Sequence, residues 1–216
     1  MQKKSILKKI FIYTVSAILL CILYVAMHLG YNFFSDNIHT VIPNKIYRSA
    51  QLNKKNLTEL TEKYHIKSMI NLRGTWPTNH WYEVEKKFAK INHIEYYPIQ
   101  FSAYKLPKKQ EIRILVHILQ IAPKPLVFHC EGGADRTGMA AAISLILFKK
   151  NATIAEIEKE ASWHYNAVSR FTVGYQVMRN YFAWLKKNNL PQSKENFLTW
   201  LNSDEKMQPY EGWFFV

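Results

Sequence analysis

The sequence predicts an α/β domain with a mainly parallel central sheet flanked by helices, preceded by one transmembrane helix. Three observations predict this fold class. Short apolar runs typical of strands alternate with helical patterns from residue 41 onward, and a glycine-rich turn joins one buried-strand pattern to a strongly apolar helix. Residues 10–29 contain no Asp, Glu, Lys or Arg. With 48% hydrophobic and 14% aromatic residues, the chain is not disordered and can bury a sizeable core.

The N-terminal segment predicts a membrane anchor, because a helix over residues 10–29 spans about 30 Å, the thickness of a bilayer's hydrocarbon core. A cleaved signal peptide is the alternative, but its apolar region is normally shorter and no clear small-x-small site follows. Lysines precede the segment and none directly follows it. The positive-inside rule therefore places the N-terminus in the cytoplasm and the remaining chain in the periplasm of a bacterium. These lysines are Lys3, Lys4, Lys8 and Lys9.

We therefore divide the chain into a basic tail, an anchor, a linker and one folded domain, at residues 1–9, 10–29, 30–40 and 41–216. Within the domain, Asn53 can cap the first helix and Pro107 can open the third. Period-two and apolar runs predict strands at 45–47, 66–72, 94–99 and 125–129. Helical spacing predicts helices at 53–64, 81–91, 107–121, 137–149, 153–165, 173–188 and 194–201. The apolar C-terminal residues are expected to pack on the domain or to touch a membrane surface.

Charge and cysteine content narrow the classes of ligand. The net charge of +13 attracts nucleic acid, anionic lipid and phosphorylated ligands about equally. No basic and aromatic stripe is present, so we expect no nucleic-acid partner. The two cysteines are Cys21, in the apolar segment, and Cys130, in the glycine-rich turn. A disulfide between them is geometrically improbable, and no ligand cluster predicts a metal site.

The turn at residues 129–138 (HCEGGADRTG) has the pattern of a phosphate-binding loop. It follows a buried strand and opens a helix, so successive backbone N–H groups point into one concavity at the positive helix end. We expect the cradle at Glu131, Gly132, Gly133, Ala134, Asp135 and Arg136. Gly132 and Gly133 permit the positive-φ backbone such a loop needs, and Arg136 can fork two hydrogen bonds to a phosphoryl group.

The same field acts on Cys130. A thiol at a helix N-terminus beside an arginine is activated as a thiolate and can attack phosphorus. Thr137 can donate a hydrogen bond to the thiolate, and His129 can orient the loop. Arg48 and Arg73 follow predicted strands and are possible contacts to substrate.

These residues resemble the signature of the protein tyrosine and dual-specificity phosphatase superfamily, His-Cys-x-x-Gly-x-x-Arg-Ser/Thr. Residues 41–51 and 71–74 are also similar to the first strands of bacterial dual-specificity-like enzymes. The resemblance implies the dual-specificity-phosphatase fold, and a reaction in which a phosphocysteine forms on Cys130 and water then hydrolyses it. It implies no metal or organic cofactor. The motif residues that match are His129, Cys130, Gly133, Arg136 and Thr137.

One departure from the family concerns the general acid. These enzymes usually carry an Asp on a loop before the signature, but residues 100–107 contain no Asp or Glu. Asp135 offers a donor within the signature, and an Asp-Arg-Thr ending is similar to that of myotubularin-type phosphoinositide phosphatases. Asp135 can instead brace the loop by accepting backbone N–H bonds, and Glu111 is the second candidate.

The anchor, the basic domain and the Asp-Arg-Thr ending together favour a phospholipid headgroup phosphate as substrate. A phosphoprotein is the alternative substrate. A module that binds phosphate without turning it over is a further alternative, because the usual loop acid is missing.

Overall fold

The computed structural model describes residues 2–103 and 105–215, with side chains from Ile6 onward. The strands are β1 His39–Ile42, β2 Ile46–Ser49, β3 Ser68–Asn71, β4 Glu95–Pro98 and β5 Leu126–His129. The helices are α1 Gln2–Phe34, α2 Lys54–Tyr64, α3 His80–Ile91, α4 Lys109–Ile121, α5 Asp135–Phe148, α6 Ile154–Glu160, α7 Val173–Lys187 and α8 Lys194–Asn202. A 3-10 turn, Trp163–Tyr165, follows α6.

The strands form one sheet in the order β1-β2-β5-β3-β4. Strand β1 is antiparallel to β2, and every other neighbouring pair is parallel, which confirms the prediction of a mainly parallel sheet. The sequence patterns gave no signal for β1, half of which falls in the predicted linker. It pairs with β2 across the turn at residues 43–45.

Both faces of the sheet are covered, which explains the uninterrupted apolar run of β5. Successive side chains of a strand point to opposite faces. Accordingly, Leu126 and Phe128 lie in the larger core with α4, α5, α7 and α8, whereas Val127 lies in the smaller core with α2 and α3. Helix α5 is buried along most of its length at the centre of the larger core. It begins at Asp135, shortly after β5 ends at His129.

Helix α1 projects from the domain. From Ile6 to Phe34 it is long and apolar enough to cross a membrane, and its most apolar stretch is not buried in the protein, although a signal sequence has the same properties. The helix continues through residues 30–34, which the sequence analysis assigned to the linker. Its end packs on the domain: Asn32 is 1% exposed, and its Nδ2 donates to the carbonyl of His164 (2.8 Å) and to Oδ1 of Asn166 (3.0 Å).

The helix predicted over residues 153–165 is interrupted. Helix α6 ends at Glu160, and the Ser162 hydroxyl accepts a bond from the His164 N–H, which starts the separate 3-10 turn. A serine that bonds the backbone locally competes with helix continuation, which gives a physical reason for the break. The remaining helices lie within a few residues of their predicted limits.

Candidate active site

The signature residues form a loop, here called the 130–136 loop, between β5 and α5. His129 ends β5 and is in register with Ser49 on β2 and Asn71 on β3. The loop therefore lies at the C-terminal edge of three adjacent parallel strands, where ligands bind in open α/β sheets.

Gly133 gives the loop its shape. Its φ is 67°, and a Cβ built on it would lie 2.7 Å from the backbone nitrogen of Ala50. Both the left-handed backbone and the close approach to β2 therefore require glycine. The same expectation for Gly132 was wrong, because Gly132 has no positive φ and a Cβ there would have nothing within 4 Å.

The backbone of the loop provides a set of unpaired donors. Among the residues that the structure describes, no N–H from Glu131 through Thr137 donates a hydrogen bond. The last of these N–H groups, from Asp135 onward, belong to the first turn of α5, where the helix dipole adds positive potential. Unpaired N–H groups at such a position are suited to the oxygens of a phosphate.

Arg136 and Cys130 lie at the two ends of this loop and have few contacts with other described groups. The Arg136 side chain is buried, its Nη1 lies 3.4 Å from the Phe101 carbonyl, and its Nε has no partner within residues 2–103 and 105–215. It forms no ion pair with any described carboxylate. The Cys130 thiol is 3% exposed and free, and the buried Thr137 hydroxyl next to Arg136 likewise has no described partner. A buried guanidinium left without an anion is costly, so the site is suited to an anionic ligand.

The sequence comparison decides the family. Residues 30–156, more than half of the chain, match the sequence model of the tyrosine phosphatase family. The chain belongs to the tyrosine phosphatase family. It is therefore a cysteine-based phosphatase, as its signature predicted. A comparison with curated protein sequences finds no match.

A solved structure shows the same fold. The core catalytic domain of the PP-IP phosphatase Siw14 from S. cerevisiae is 23% identical, with a TM-score of 0.55 over 73% of this chain and 96% of that one. TpbA from P. aeruginosa is 19% identical, with a TM-score of 0.47 over 59% of this chain and 73% of that one. At 23% identity the Siw14 structure establishes the likeness of fold alone.

The contact between Arg48 and substrate stays a prediction, and the bonds that Arg48 makes in the structure are to the protein itself. It is fully buried, and its Nη1 donates to the backbone carbonyl (2.8 Å) and the carboxylate (2.7 Å) of Glu160. Its Nη2 donates to the Gly133 carbonyl at 2.8 Å. Arg48 therefore ties the 130–136 loop to the end of α6, and all of its short contacts are structural.

Arg73 lies at the rim of the loop. Its Nη2 is 3.6 Å from the carboxylate of Glu131, and its guanidinium stacks on the Trp81 ring at 3.9 Å. The Glu131 side chain is mostly exposed, so this ion pair is weak and can open. A contact between Arg73 and substrate stays a prediction.

Asp135 is turned toward helix α7. Its Oδ1 accepts the Gly174 N–H at 3.0 Å, and it also accepts from Val173, so it caps α7 where the hydroxyl of Thr172 makes no cap. Burial raises the pKa of Asp135 to about 6, against the opposing effects of these N–H bonds and of Arg136. Through these bonds the carboxyl links the 130–136 loop to the start of α7.

Glu111 serves another purpose. Its Oε2 accepts the Lys108 N–H at 2.7 Å at the start of α4, as in half of a capping box. The loop at residues 100–107, which precedes α4, approaches the site as expected from the family resemblance. Its Phe101 carbonyl lies 3.4 Å from Arg136 Nη1. It offers that carbonyl and no carboxylate.

Glu85 on α3 is a site residue that the sequence analysis missed. It is 2% exposed; its Oε2 lies 3.1 Å from His129 Nε2, and its Oε1 accepts from the Tyr96 hydroxyl at 2.6 Å. His129 Nδ1 in turn lies 3.1 Å from the Cys130 carbonyl. Burial raises the pKa of Glu85, but His129, Tyr96 and Gln51 outweigh burial and hold that pKa below its usual value. The sequence signal that could have identified Glu85 is its place as an acidic residue on the apolar face of the helix predicted over residues 81–91.

Proposed function

We propose that this chain is a membrane-anchored phosphomonoester phosphatase that forms a phosphocysteine on Cys130 and favours phospholipid headgroup phosphate. The observation that carries the proposal is the buried Arg136 guanidinium, which forms no ion pair within residues 2–103 and 105–215, beside loop N–H groups without a described acceptor and a free thiol. Together these groups suit a dianionic phosphate directly in front of a nucleophile.

The reaction then proceeds in two displacements. The Cys130 thiolate attacks phosphorus, so that a sulfur–phosphorus bond forms while the bond to the leaving oxygen breaks and that oxygen takes up a proton. Arg136 and the loop N–H groups hold the remaining phosphoryl oxygens throughout. Water then attacks phosphorus and returns a proton to the group that protonated the leaving oxygen, the sulfur–phosphorus bond breaks, and inorganic phosphate leaves with the thiolate restored. The Thr137 hydroxyl can stabilise that thiolate.

Asp135 is the proposed source of the leaving-group proton. Its raised pKa of about 6 is suited to a donor that must be protonated part of the time at neutral pH. It also adjoins Arg136 in the chain. Its bonds to the N-terminus of α7 support the alternative that it only braces the loop, and Glu111 is the weaker candidate because it caps α4.

A membrane-near substrate is supported by the way α1 meets the site. Just beyond the end of α1, Asn37 donates from Nδ2 to the Gly132 carbonyl of the 130–136 loop (3.1 Å) and to the Tyr165 carbonyl (3.0 Å). The Asp36 carbonyl accepts from the Ala50 N–H at 2.7 Å. If α1 spans the bilayer, the catalytic loop stays close to the membrane surface. The lysines that precede the uncharged part of α1 support a cytoplasmic N-terminus and a periplasmic domain.

Family membership favours a second candidate, a phosphotyrosine or dual-specificity protein phosphatase. The anchor is compatible with both substrates, since tethering raises the local concentration of any substrate near the membrane.

The test is phosphate release by the full chain in nanodiscs, with phosphatidylglycerol phosphate or a phosphotyrosine peptide as substrate. Cys130→Ser should abolish release, whereas Cys21→Ser, a matched cysteine change in α1, should retain it. Faster turnover of the lipid supports the proposal, and clear preference for the peptide moves it to the second candidate. Phosphate binding without turnover of either substrate would leave only a binding module.

A further inference from the structure

The C-terminal segment exposes aromatic rings that the domain core does not use. Trp213 is 72% exposed, Phe214 50% and Phe215 56%, and Phe171 beside them is 42% exposed. The rings of Phe171 and Phe214 lie 6.0 Å apart. We call Phe171, Trp213, Phe214 and Phe215 the aromatic platform. A contiguous exposed apolar patch of this kind usually marks an interaction surface.

The backbone beneath the aromatic platform is fixed. The Arg170 N–H donates to the Phe214 carbonyl at 2.8 Å, and Phe215 forms an antiparallel bridge with Ser169. Further back along the segment, the Tyr210 ring packs against Phe171 at 5.5 Å. The segment is thus held to the domain while its rings point outward, which core packing does not explain.

The aromatic platform lies close to the point where α1 leaves the domain. The side chain of Asn166 donates to the Leu29 carbonyl at 3.1 Å, and Leu29 is the last residue of the predicted anchor. Ser169, which carries the bridge to Phe215, is only three residues beyond Asn166. At about 3.3–3.6 Å per residue, that stretch of chain reaches no more than about 11 Å. The platform is therefore near the depth at which an anchored α1 would emerge from the bilayer.

We propose that the aromatic platform is a second membrane contact, which inserts into the interfacial layer of the bilayer that holds α1. This inference rests on the proposed anchor. Tryptophan is enriched at the membrane–water interface, and exposed aromatic rings gain free energy by leaving water there. The adjacent Arg170 suits an anionic lipid surface, and so does the net charge of +9 that the chain carries without its four N-terminal lysines. Two contacts, α1 and the platform, restrict rotation of the domain about the end of α1 and so hold the 130–136 loop in one orientation to the bilayer.

The experiment places an environment-sensitive fluorophore on a single cysteine of the full chain in nanodiscs that contain anionic lipid. All chains carry Cys130→Ser, which leaves one reactive position each. The first keeps the native Cys21 in α1; the second and third combine Cys21→Ser with Phe214→Cys or with Ile91→Cys. Ile91 is a matched control: it is 64% exposed and ends α3, which packs against β4 at the opposite sheet edge from β1.

Nitroxide lipids, labelled near the headgroup or deep in the acyl chain, then quench whichever fluorophore they reach. We expect deep nitroxide to quench the label at Cys21, headgroup nitroxide to quench most of the emission at position 214, and neither to quench the label at position 91. Quenching at Cys21 without quenching at position 214 would overturn the platform and leave the anchor intact. A label at Cys21 that no lipid quenches would overturn the anchor itself. Equal quenching at positions 214 and 91 would also contradict the proposal.

Discussion

Two loops meet at Arg136, and they differ in what they offer to a bound phosphate. The 130–136 loop supplies a thiol, a guanidinium and a series of unpaired N–H groups. The loop at residues 100–107 supplies the Phe101 carbonyl, which contacts Arg136 at 3.4 Å, and its sequence has no acid. The groups suited to an anion thus lie within one loop, whereas the sequence of the loop that usually carries the acid has no Asp or Glu.

This difference has a chemical consequence. A phosphatase that holds phosphate well but lacks a dedicated donor either takes the proton from the binding loop itself or prefers leaving groups that need little protonation. Asp135 is the residue that distinguishes these cases, because it belongs to the 130–136 loop and its pKa is raised to about 6.

The largest expected effect comes from Arg136→Lys, which tests whether anion binding resides in the 130–136 loop. Lysine keeps the charge but loses the fork that holds two phosphoryl oxygens, so we expect kcat/KM to fall by about 10³-fold. Initial rates with an aryl phosphate measure it. Arg113→Lys is the matched control, because Arg113 bonds the Leu201 carbonyl on another face. A drop of less than tenfold would mean that the loop N–H groups alone bind the phosphate.

Asp135→Asn tests whether the 130–136 loop donates the leaving-group proton. It should lower kcat by about 10²-fold with an alkyl phosphate. The loss should be much smaller with an aryl phosphate, whose leaving oxygen needs less help. In the wild type, kcat should decline as pH rises through about 6, the pKa of Asp135, because the donor loses its proton. That limb should vanish in the variant. Equal losses with both substrates, with the limb intact, would identify Asp135 as only a brace.

The pH dependence of stability tests the raised pKa of Asp135 independently of the kinetics. Its folded pKa of about 6 lies above the ordinary value of 3.8, so its favourable contribution is complete below pH 3.8 and is lost as pH rises through about 6. Thermal unfolding of wild type and Asp135→Asn between those pH values should therefore show a flatter pH dependence in the variant. Parallel curves would mean that Asp135 titrates normally.

The loops also show what could be predicted from sequence. Cys130, Gly133 and Arg136 are close together in the chain, so one strand–turn–helix pattern sufficed to place them. The burial of Arg48 depends on Glu160, and the contact of His129 depends on Glu85, and both partners are distant in sequence. Strand β1 escaped prediction because its pairing with β2, and not its composition, defines it. Local patterns thus predicted the loop, whereas side-chain contacts between distant elements required the structure.

A comparison of Gly133→Ala with Gly132→Ala tests whether the backbone of the loop requires glycine at position 133 and not at position 132. Alanine at 133 must adopt a φ of 67° and clash with the Ala50 backbone, so we expect a loss of about 1–3 kcal/mol in stability. The distorted cradle should also lower kcat/KM by at least about tenfold. Alanine at 132 meets open space and should stay within about 0.5 kcal/mol of wild type. Urea unfolding and aryl phosphate kinetics measure both, and equal effects at the two positions would contradict the assigned geometry.

The smallest expected effect is that of Glu85→Gln, which acts on the 130–136 loop through His129. The amide keeps the shape of the side chain but loses its charge, so the imidazole that holds the Cys130 carbonyl is less firmly placed. We expect kcat/KM to fall about fivefold, the equivalent of roughly 1 kcal/mol.

Because the pKa of Glu85 is held below its usual value of 4.5, its contribution to stability is present above pH 4.5 and is lost as pH falls through the lower folded pKa. Glu85→Gln should therefore remove part of the acid destabilisation seen in wild type, whereas Glu83→Gln, on an exposed turn of the same helix, should leave it unchanged. An unaltered acid limb in Glu85→Gln, together with unaltered kinetics, would show that His129 is positioned by the backbone alone.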